Sequence, residues 1–399
     1  MKRRILITGM GCISGLGKDV TETWRRAIAG DGAIRPIERE GMTGVAAGIE
    51  AGDMPTERPE WRTLGRLDPL SIHALTAAEE ALAQAGLIGH AVLRDRTAVL
   101  IGCGSGGNAT IDRAYERLYA RGQARVHPQT IPASMISAPA AHIAMAFGLH
   151  GPTFVLGSAC ASSAHALGEA MHMIRAGRVD VALAGGAEAC LTPGSWTAWQ
   201  SIGAMAPDTC RPFSAGRRGM VLGEGAAMLV LEAEEHAMAR GATVLGELAG
   251  YGASSDATDM TAPAVDGIIA AIAAAHVDAD ISVAEPTLLS AHGTGTPLND
   301  AAESAALHAV YGAHLGRHAV IATKSAHGHM IGGTGAMEFL LGLVALGHGQ
   351  APPVLNHVAS DPACDIPLIL EPTAIDQRVL VSNSFAFGGL NAVLIGRAA

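Results

Sequence analysis

The sequence predicts an α/β fold made of two similar halves. Three observations carry that expectation. Short apolar strands alternate with Ala-rich or amphipathic helices, the rhythm of sheets buried between helices. The strand-and-turn pattern of the first half returns in the second. The 399 residues are 49% hydrophobic but only 4% aromatic, with 50 glycines, so a large core forms by close approach of small side chains.

Taken in order, the apolar β-branched and leucine runs place strands at Arg4–Thr8, Thr97–Ile101, Thr153–Gly157, Val181–Ala184 and Met228–Glu232. Between them, helices are expected at Val20–Ala29, Pro69–Ala85, Ala133–Phe147 and Ser162–Ala176. In the second half "TVLGELAGYGASSD" repeats the opening "RRILITGMGCISG" as a strand followed by a glycine turn. "TLLSAHGTGT" stands where the first half has "TAVLIGCGSGG". The closing "RVLVSNSFAFGGLNAVLIGR" echoes "VDVALAGGAEA" plus "AAMLVLEAEE", two apolar strands with a connection. The halves are therefore expected over 1–235 and 236–399, joined by the helical stretch 232–242. Segments 31–66 and 103–130 are polar, rich in Pro, Gly and Arg, and read as surface excursions.

The net charge of −10 argues against nonspecific nucleic-acid binding, which needs a basic footprint, but leaves room for a local basic patch. The six cysteines have no C-x-x-C spacing, so neither a zinc site nor a redox motif is expected. A chain of this size needs no disulfide staples, and a reducing cytoplasm is the expected compartment. The opening "MKRRILITGMGCISGLG" has too short an apolar run for a signal peptide. No stretch of ~18 uninterrupted apolar residues suggests a membrane span.

Four glycine-dense segments each hold a reactive residue, and glycine lets main-chain amides approach a reacting group. They are "GSACASS" with Cys160, "SAHGTGTPLND" with His292, "TKSAHGHMIGGTGAME" with Lys324, His329 and Glu338, and "SNSFAFGGLN" with Phe387. Cys160 stands where a strand gives way to a long helix. Helix N-terminal amides there favour a thiolate, which suits a nucleophile; the alternative is an inert core thiol. His292 ends an apolar strand before a Gly-Thr-Gly-Thr turn that lacks the Gly-Lys-Ser/Thr of a phosphate loop. His327 and His329 form a His-x-His pair without a third ligand, so no metal is expected. A thiol with imidazole partners suits acyl transfer through a thioester. Two neutral histidines donating N–H bonds to one carbonyl oxygen would steady the enolate left by a decarboxylation.

These motifs, in this order, resemble those of the elongating β-ketoacyl-acyl carrier protein synthases, whose fold is that of the thiolases. The resemblance implies two βαβαβαββ halves in a layered α-β-α-β-α architecture. It implies that Cys160 accepts the acyl chain, while His292 and His329 hold the malonyl thioester carbonyl and promote loss of CO2. Lys324 matches the lysine beside the second histidine, and Glu338 its buried partner. Backbone N–H groups of Cys160 and Phe387 would form the oxyanion hole, with Phe387 also the gate. Thr294 and Thr296 would contact a phosphopantetheine arm supplied by acyl carrier protein, with no tightly bound cofactor, and Asp300 and Glu303 would support them. Arg62, Arg66, Arg125 and Arg211 fall at carrier-docking positions. Pocket depth would depend on side chains near Ile111, Ala133 and Phe385.

The same resemblance implies a dimer, with itself or with a synthase-like subunit. Four residues depart from the pattern: Arg218 in an Arg-Arg-Gly stretch where Arg-Asp-Gly is usual, His327, Ala386 and Leu390. They suggest a role outside ordinary fatty acid synthesis, in a polyketide or aryl-polyene pathway. Two rival readings remain: a thiolase, which needs a second cysteine that only Cys364 could supply, and a non-catalytic chain-length-factor-like subunit.

Overall fold

The computed structural model describes residues 2–39, 41–50, 52–54, 58–89 and 95–399. Strands of the first half are β1 (Ile5–Ser14), β2 (Thr97–Gly102), β3 (Thr153–Leu156), β4 (Val181–Glu188) and β5 (Gly225–Ala233). Those of the second are β6 (Gly246–Ser255), β7 (Leu288–Ser290), β8 (Ala319–Ile321), β9 (Val379–Ala386) and β10 (Leu390–Ala398). The larger helices are α1 (Val20–Ile28), α2 (Pro69–Gln84), α3 (Ala138–Phe147), α4 (Ser162–Arg175), α5 (Pro193–Ile202), α6 (Val265–Ala279), α7 (Pro297–Tyr311) and α8 (Thr334–His348).

The strand order repeats. Outward from the centre the first half runs β1-β5-β4-β2-β3 and the second β6-β10-β9-β7-β8. Strand senses repeat as well: β2 is parallel to β3 and β4, as β7 is to β8 and β9. The last two strands of each half pair antiparallel, β4 with β5 and β9 with β10. The halves meet where β1 pairs antiparallel with β6, Leu6 opposite Glu247. Helices α2 and α3 cover the outer face of the first half, and α6 with α7 cover that of the second. Helices α4 and α8 lie between, each touching strands of both halves. This is the expected five-layer arrangement.

Glycines explain the tightness of the layers. A Cβ at Gly9 or Gly11 would sit 2.1 Å from the carbonyl oxygen of Ala81 or Ala77 on α2. In the second half a Cβ at Gly252 would sit 2.2 Å from the Ala271 oxygen on α6. Each strand thus rests on a helix backbone. The "GMG" and "AGYG" segments, expected as turns, lie inside β1 and β6, because their glycines serve packing rather than chain reversal.

One expected helix is divided. Ala133–Phe147 is in fact Thr130–Ser134 followed by α3, with Met135 extended at φ −57°, ψ 140°. Pro139 has no N–H and crowds the carbonyl four residues earlier, so the helix restarts there. Of the excursions, 31–66 carries a hairpin pairing Arg35–Arg39 with Met42–Ala46, and its residues 40, 51 and 55–57 lie outside the described residues. Segment 103–130 carries the helix Asn108–Tyr115.

The stretch Ile331–His348 is long and apolar enough, by length and composition, to cross a membrane, at a mean hydropathy of 1.3. It is 83% buried here, and α8 owes its composition to its place between the two halves, where it touches strands of both. All six cysteines are buried and unpaired.

Candidate active site

Four chain segments converge at one end of the central layer. After β3 the chain turns through Ala159, whose φ of +47° is in the left-handed region that a non-glycine residue enters only at a cost. That turn presents Cys160 just before α4, with 6% of its surface exposed. His329 follows β8 and is held from both ends. Its backbone N–H donates to the Val221 oxygen at 2.7 Å, and its Nδ1 lies 2.9 Å from the Thr334 hydroxyl. Its Nε2 is left 3.0 Å from the Cys160 sulfur.

His292 follows β7. The backbone N–H groups of His292 and Gly293 donate to the two oxygens of buried Glu303 at 2.8 and 2.9 Å, which fixes the glycine turn. Asn383 of β9 donates to the same carboxylate at 3.1 Å. The two imidazole rings stand 5.6 Å apart at 84°. The Cys160 sulfur and one nitrogen of each histidine all lie within 4.8 Å of one another. The three side chains can therefore touch one thioester.

Lys324 has no exposed side-chain surface. Its ammonium lies 2.8 Å from each oxygen of Glu338 and 3.2 Å from Nδ1 of His292, and it also donates to the His292 carbonyl. An ammonium only donates, so Nδ1 of His292 accepts and the ring carries its proton on Nε2. Lys324 thereby sets the tautomer of His292, leaving its N–H at Nε2.

Burial dominates the electrostatics. It pushes the Cys160 thiol up to about 11, against the Lys324 charge and the backbone N–H groups of Phe387 and Cys160, which lower it. The expected lowering by the helix N-terminus is overturned: desolvation of a buried sulfur outweighs the amides. Burial, then the Lys324 charge, holds both His292 and His329 well below the usual histidine range. Both imidazoles are neutral. Burial raises the Glu338 carboxyl and Lys324 pulls it down.

Above these groups lies a cavity of about 310 Å³ with Cys160, His292 and His329 in its lining. Thr294, Thr296, Phe385 and Phe387 line it too, with the two threonine hydroxyls 2.8 Å apart. Asp300 does not line it, but accepts the backbone N–H groups of Phe213 and Gly295 at 2.7 and 3.2 Å and so shapes its wall. Of the three positions expected to set pocket depth, Phe385 lines this cavity, while Ile111 and Ala133 do not.

The four docking arginines separate. Arg62 and Arg125 are exposed. Arg66 shares a small concavity with Arg113, Arg117 and His127. Arg211 pairs with Asp208 at 2.9 Å. Among the departures from the family pattern, Arg218 and Ala386 line the cavity. His327 is wholly buried, 3.0 Å from the Thr323 hydroxyl, and burial with the Lys324 charge lowers it to about 3. Leu390 begins β10.

Sequence reasoning missed Thr334, five residues past His329, although the glycine-rich run between them marks a close approach. It also missed Trp199, whose ring centre is 6.1 Å from that of Phe387, and no local pattern announces it. Arg113 and Arg117 were legible only as part of a basic excursion. Cys364 is buried in the turn Pro362–Cys364, and Cys160 is the only cysteine lining the cavity among the described residues. The second thiol of a thiolase is therefore missing from this site.

Acyl transfer through a thioester is the chemistry such a thiol and two neutral imidazoles perform, and the scaffold that brings them together is the thiolase fold. Residues 2–237 match the beta-ketoacyl synthase N-terminal domain and residues 245–358 the beta-ketoacyl synthase C-terminal domain, so the chain belongs to the β-ketoacyl synthase family. It is an acyltransferase of the condensing class. It is 43% identical over 398 residues to Nodulation protein E of Rhizobium meliloti (strain 1021), covering 99% of both chains. It is 34% identical over 405 residues to 3-oxoacyl-[acyl-carrier-protein] synthase 2 of Staphylococcus aureus (strain COL), covering 98% of each. Its fold superposes on the ishigamide ketosynthase/chain length factor with a TM-score of 0.92, at 34% identity and full coverage of both chains.

Proposed function

We propose that this enzyme holds an acyl chain on Cys160 and condenses it with a malonyl unit carried by acyl carrier protein. The convergence of one sulfur and two imidazole nitrogens within 4.8 Å carries this reading. In the first half-reaction the Cys160 sulfur attacks the acyl thioester and its proton passes to His329 Nε2. The oxyanion is met by backbone N–H groups of Cys160 and Phe387, and the protonated imidazole returns its proton to the departing carrier thiol. In the second, N–H groups of His292 and His329 hold the malonyl thioester oxygen while CO2 leaves. The Thr334 hydroxyl both donates and accepts, so His329 serves in either tautomer. The enolate carbon attacks the Cys160 thioester, a β-ketoacyl chain two carbons longer forms on the carrier, and the sulfur leaves as a thiolate that takes a proton from solvent to restore the thiol.

Thr294 and Thr296 contact the pantetheine arm in this scheme. Arg62, Arg66, Arg125 and Arg211, extended by Arg113 and Arg117, make the basic docking face. The carrier named in the staphylococcal relative supports that partner. The ketosynthase/chain length factor pairing of the structural relative supports a dimer with a synthase-like subunit. Strand β3, at the end of the sheet with Phe154 exposed, is the edge that receives it. Residues 1–235 supply the nucleophile and 236–399 both histidines. The enzyme works in the cytoplasm, in fatty acid, polyketide or aryl-polyene synthesis.

Intact-mass analysis after incubation with a panel of acyl carrier proteins tests this. Loaded chains should map to Cys160, and C160A should neither load nor condense. H329A should impair decarboxylation much more than H292A impairs initial acylation. An acyl group mapping to another residue would refute the scheme.

A further inference from the structure

Arg217 and Arg218 are neighbours with opposite surroundings. The Arg217 side chain is 7% exposed, pairs with Asp361, and lies 3.8 Å from Asp300. It is a buried strut. The Arg218 side chain is 58% exposed. Among the described residues it is also the only Asp, Glu, Lys or Arg lining the cavity that holds Cys160. Its backbone position is firm: Gly219 donates to the Gly295 oxygen at 3.0 Å, and Met220 to the Ala204 oxygen at 2.8 Å. The guanidinium pairs with Asp208 at 3.0 Å, and Arg211 pairs with the same carboxylate at 2.9 Å. Two cations on one carboxylate leave this wall with a net positive charge.

Thr294 and Thr296 offer hydroxyls suited to amides; apart from Thr261, Asn299 and the reactive groups, the other lining residues are apolar or small. A substrate that reaches Cys160 through this cavity meets one cationic side chain on the way. We propose that Arg218 recognises the phosphate of the carrier's prosthetic arm and so sets the enzyme's preference for phosphate-bearing thioesters. This rests on the reading of the enzyme as one loaded through such an arm. A guanidinium suits the task because it presents a planar fork of donors that matches two phosphate oxygens. Asp208 holds the fork in place between visits, and Arg211 keeps that carboxylate paired when Arg218 turns to the ligand.

The test compares the rate of Cys160 acylation, as kcat/KM, by acyl-phosphopantetheine and by acyl-pantetheine, which differ only in the phosphate. The native enzyme should prefer the first by about tenfold, the scale of a hydrogen bond to a charged group. In R218A and R218D that ratio should fall to about one, and R218K should keep a reduced preference because it retains the charge but not the fork. Equal rates for the two thioesters with the native enzyme overturn the inference. So does an R218A defect that appears only with whole acyl carrier protein, since Arg218 would then read the carrier's surface. Failure of every thioester to load Cys160 strikes instead at the proposed function, and the inference falls with it.

Discussion

Cys160 is stored as a thiol, because a thiolate in a buried, neutral-imidazole environment has lost its water without gaining a full counter-charge. Its alkylation by iodoacetamide should therefore rise about tenfold per pH unit from pH 7 to 9 with no plateau, since only the thiolate reacts and its population grows toward about 11. A plateau below pH 8 would mean that a thiolate–imidazolium pair forms in the resting enzyme. The Lys324–Glu338 pair makes a second test at this scale. K324A leaves a wholly buried carboxylate without its partner and should cost about 3–5 kcal/mol in denaturant unfolding. K324M/E338L should recover much of that stability but not condensation, because Nδ1 of His292 then lacks the donor that fixes its tautomer. The reactive residues were legible because glycine-dense contexts flag close approach around Cys160, His292 and His329. The direction of the thiol shift was not, because a helix start is visible in the sequence and the depth of burial is not.

At the scale of elements, small residues set how near the layers come. Gly102 ends β2 directly beneath the start of α4, and a Cβ there would lie 2.2 Å from the Ser163 backbone nitrogen. G102A should destabilise the protein by about 1–3 kcal/mol or more and slow acyl loading, since it pushes the turn that aims Cys160. G347A is the control. Gly347 is in α8 with nothing within 4 Å of its added Cβ, so alanine should be neutral or stabilise by about 0.5–1 kcal/mol. Thermal melts with loading rates measured alongside separate the two outcomes. The strands and most helices were readable from periodicity. The glycine turns assigned after the first strand of each half were misread, because a glycine that bends the chain and one that admits a helix look alike in one dimension. The break before α3 was foreshadowed by Pro139.

On the scale of the whole molecule, the sheet ends at β3, and an open strand edge is a template for pairing. Phe154 on that edge is 41% exposed, and Met145 of the neighbouring α3 is exposed as well. F154D should convert a dimer to a monomer in light scattering while the far-UV spectrum is unchanged; an unaltered mass would remove β3 from the interface. The basic concavity of Arg66, Arg113 and Arg117 makes a separate prediction. Charge reversal at Arg113 and Arg117 should lower kcat/KM for acyl carrier protein but not for a free acyl-pantetheine, and added salt should do the same to the native enzyme.

By itself, the sequence determined the α/β class, the doubled strand pattern, and the identity of the thiol, imidazole and lysine groups. These follow from short-range periodicity and from residue types whose chemistry is intrinsic. Tertiary structure alone decided which charges survive at the site. It buried Cys160 enough to keep its proton, set Lys324 against His292, seated Thr334 behind His329 and left Arg218, rather than Arg217, facing the cavity. Those outcomes depend on how separate segments pack, Cys160 against His329 169 residues away and Lys324 against His292 32 residues away, where burial and Coulomb interaction act and local pattern is silent.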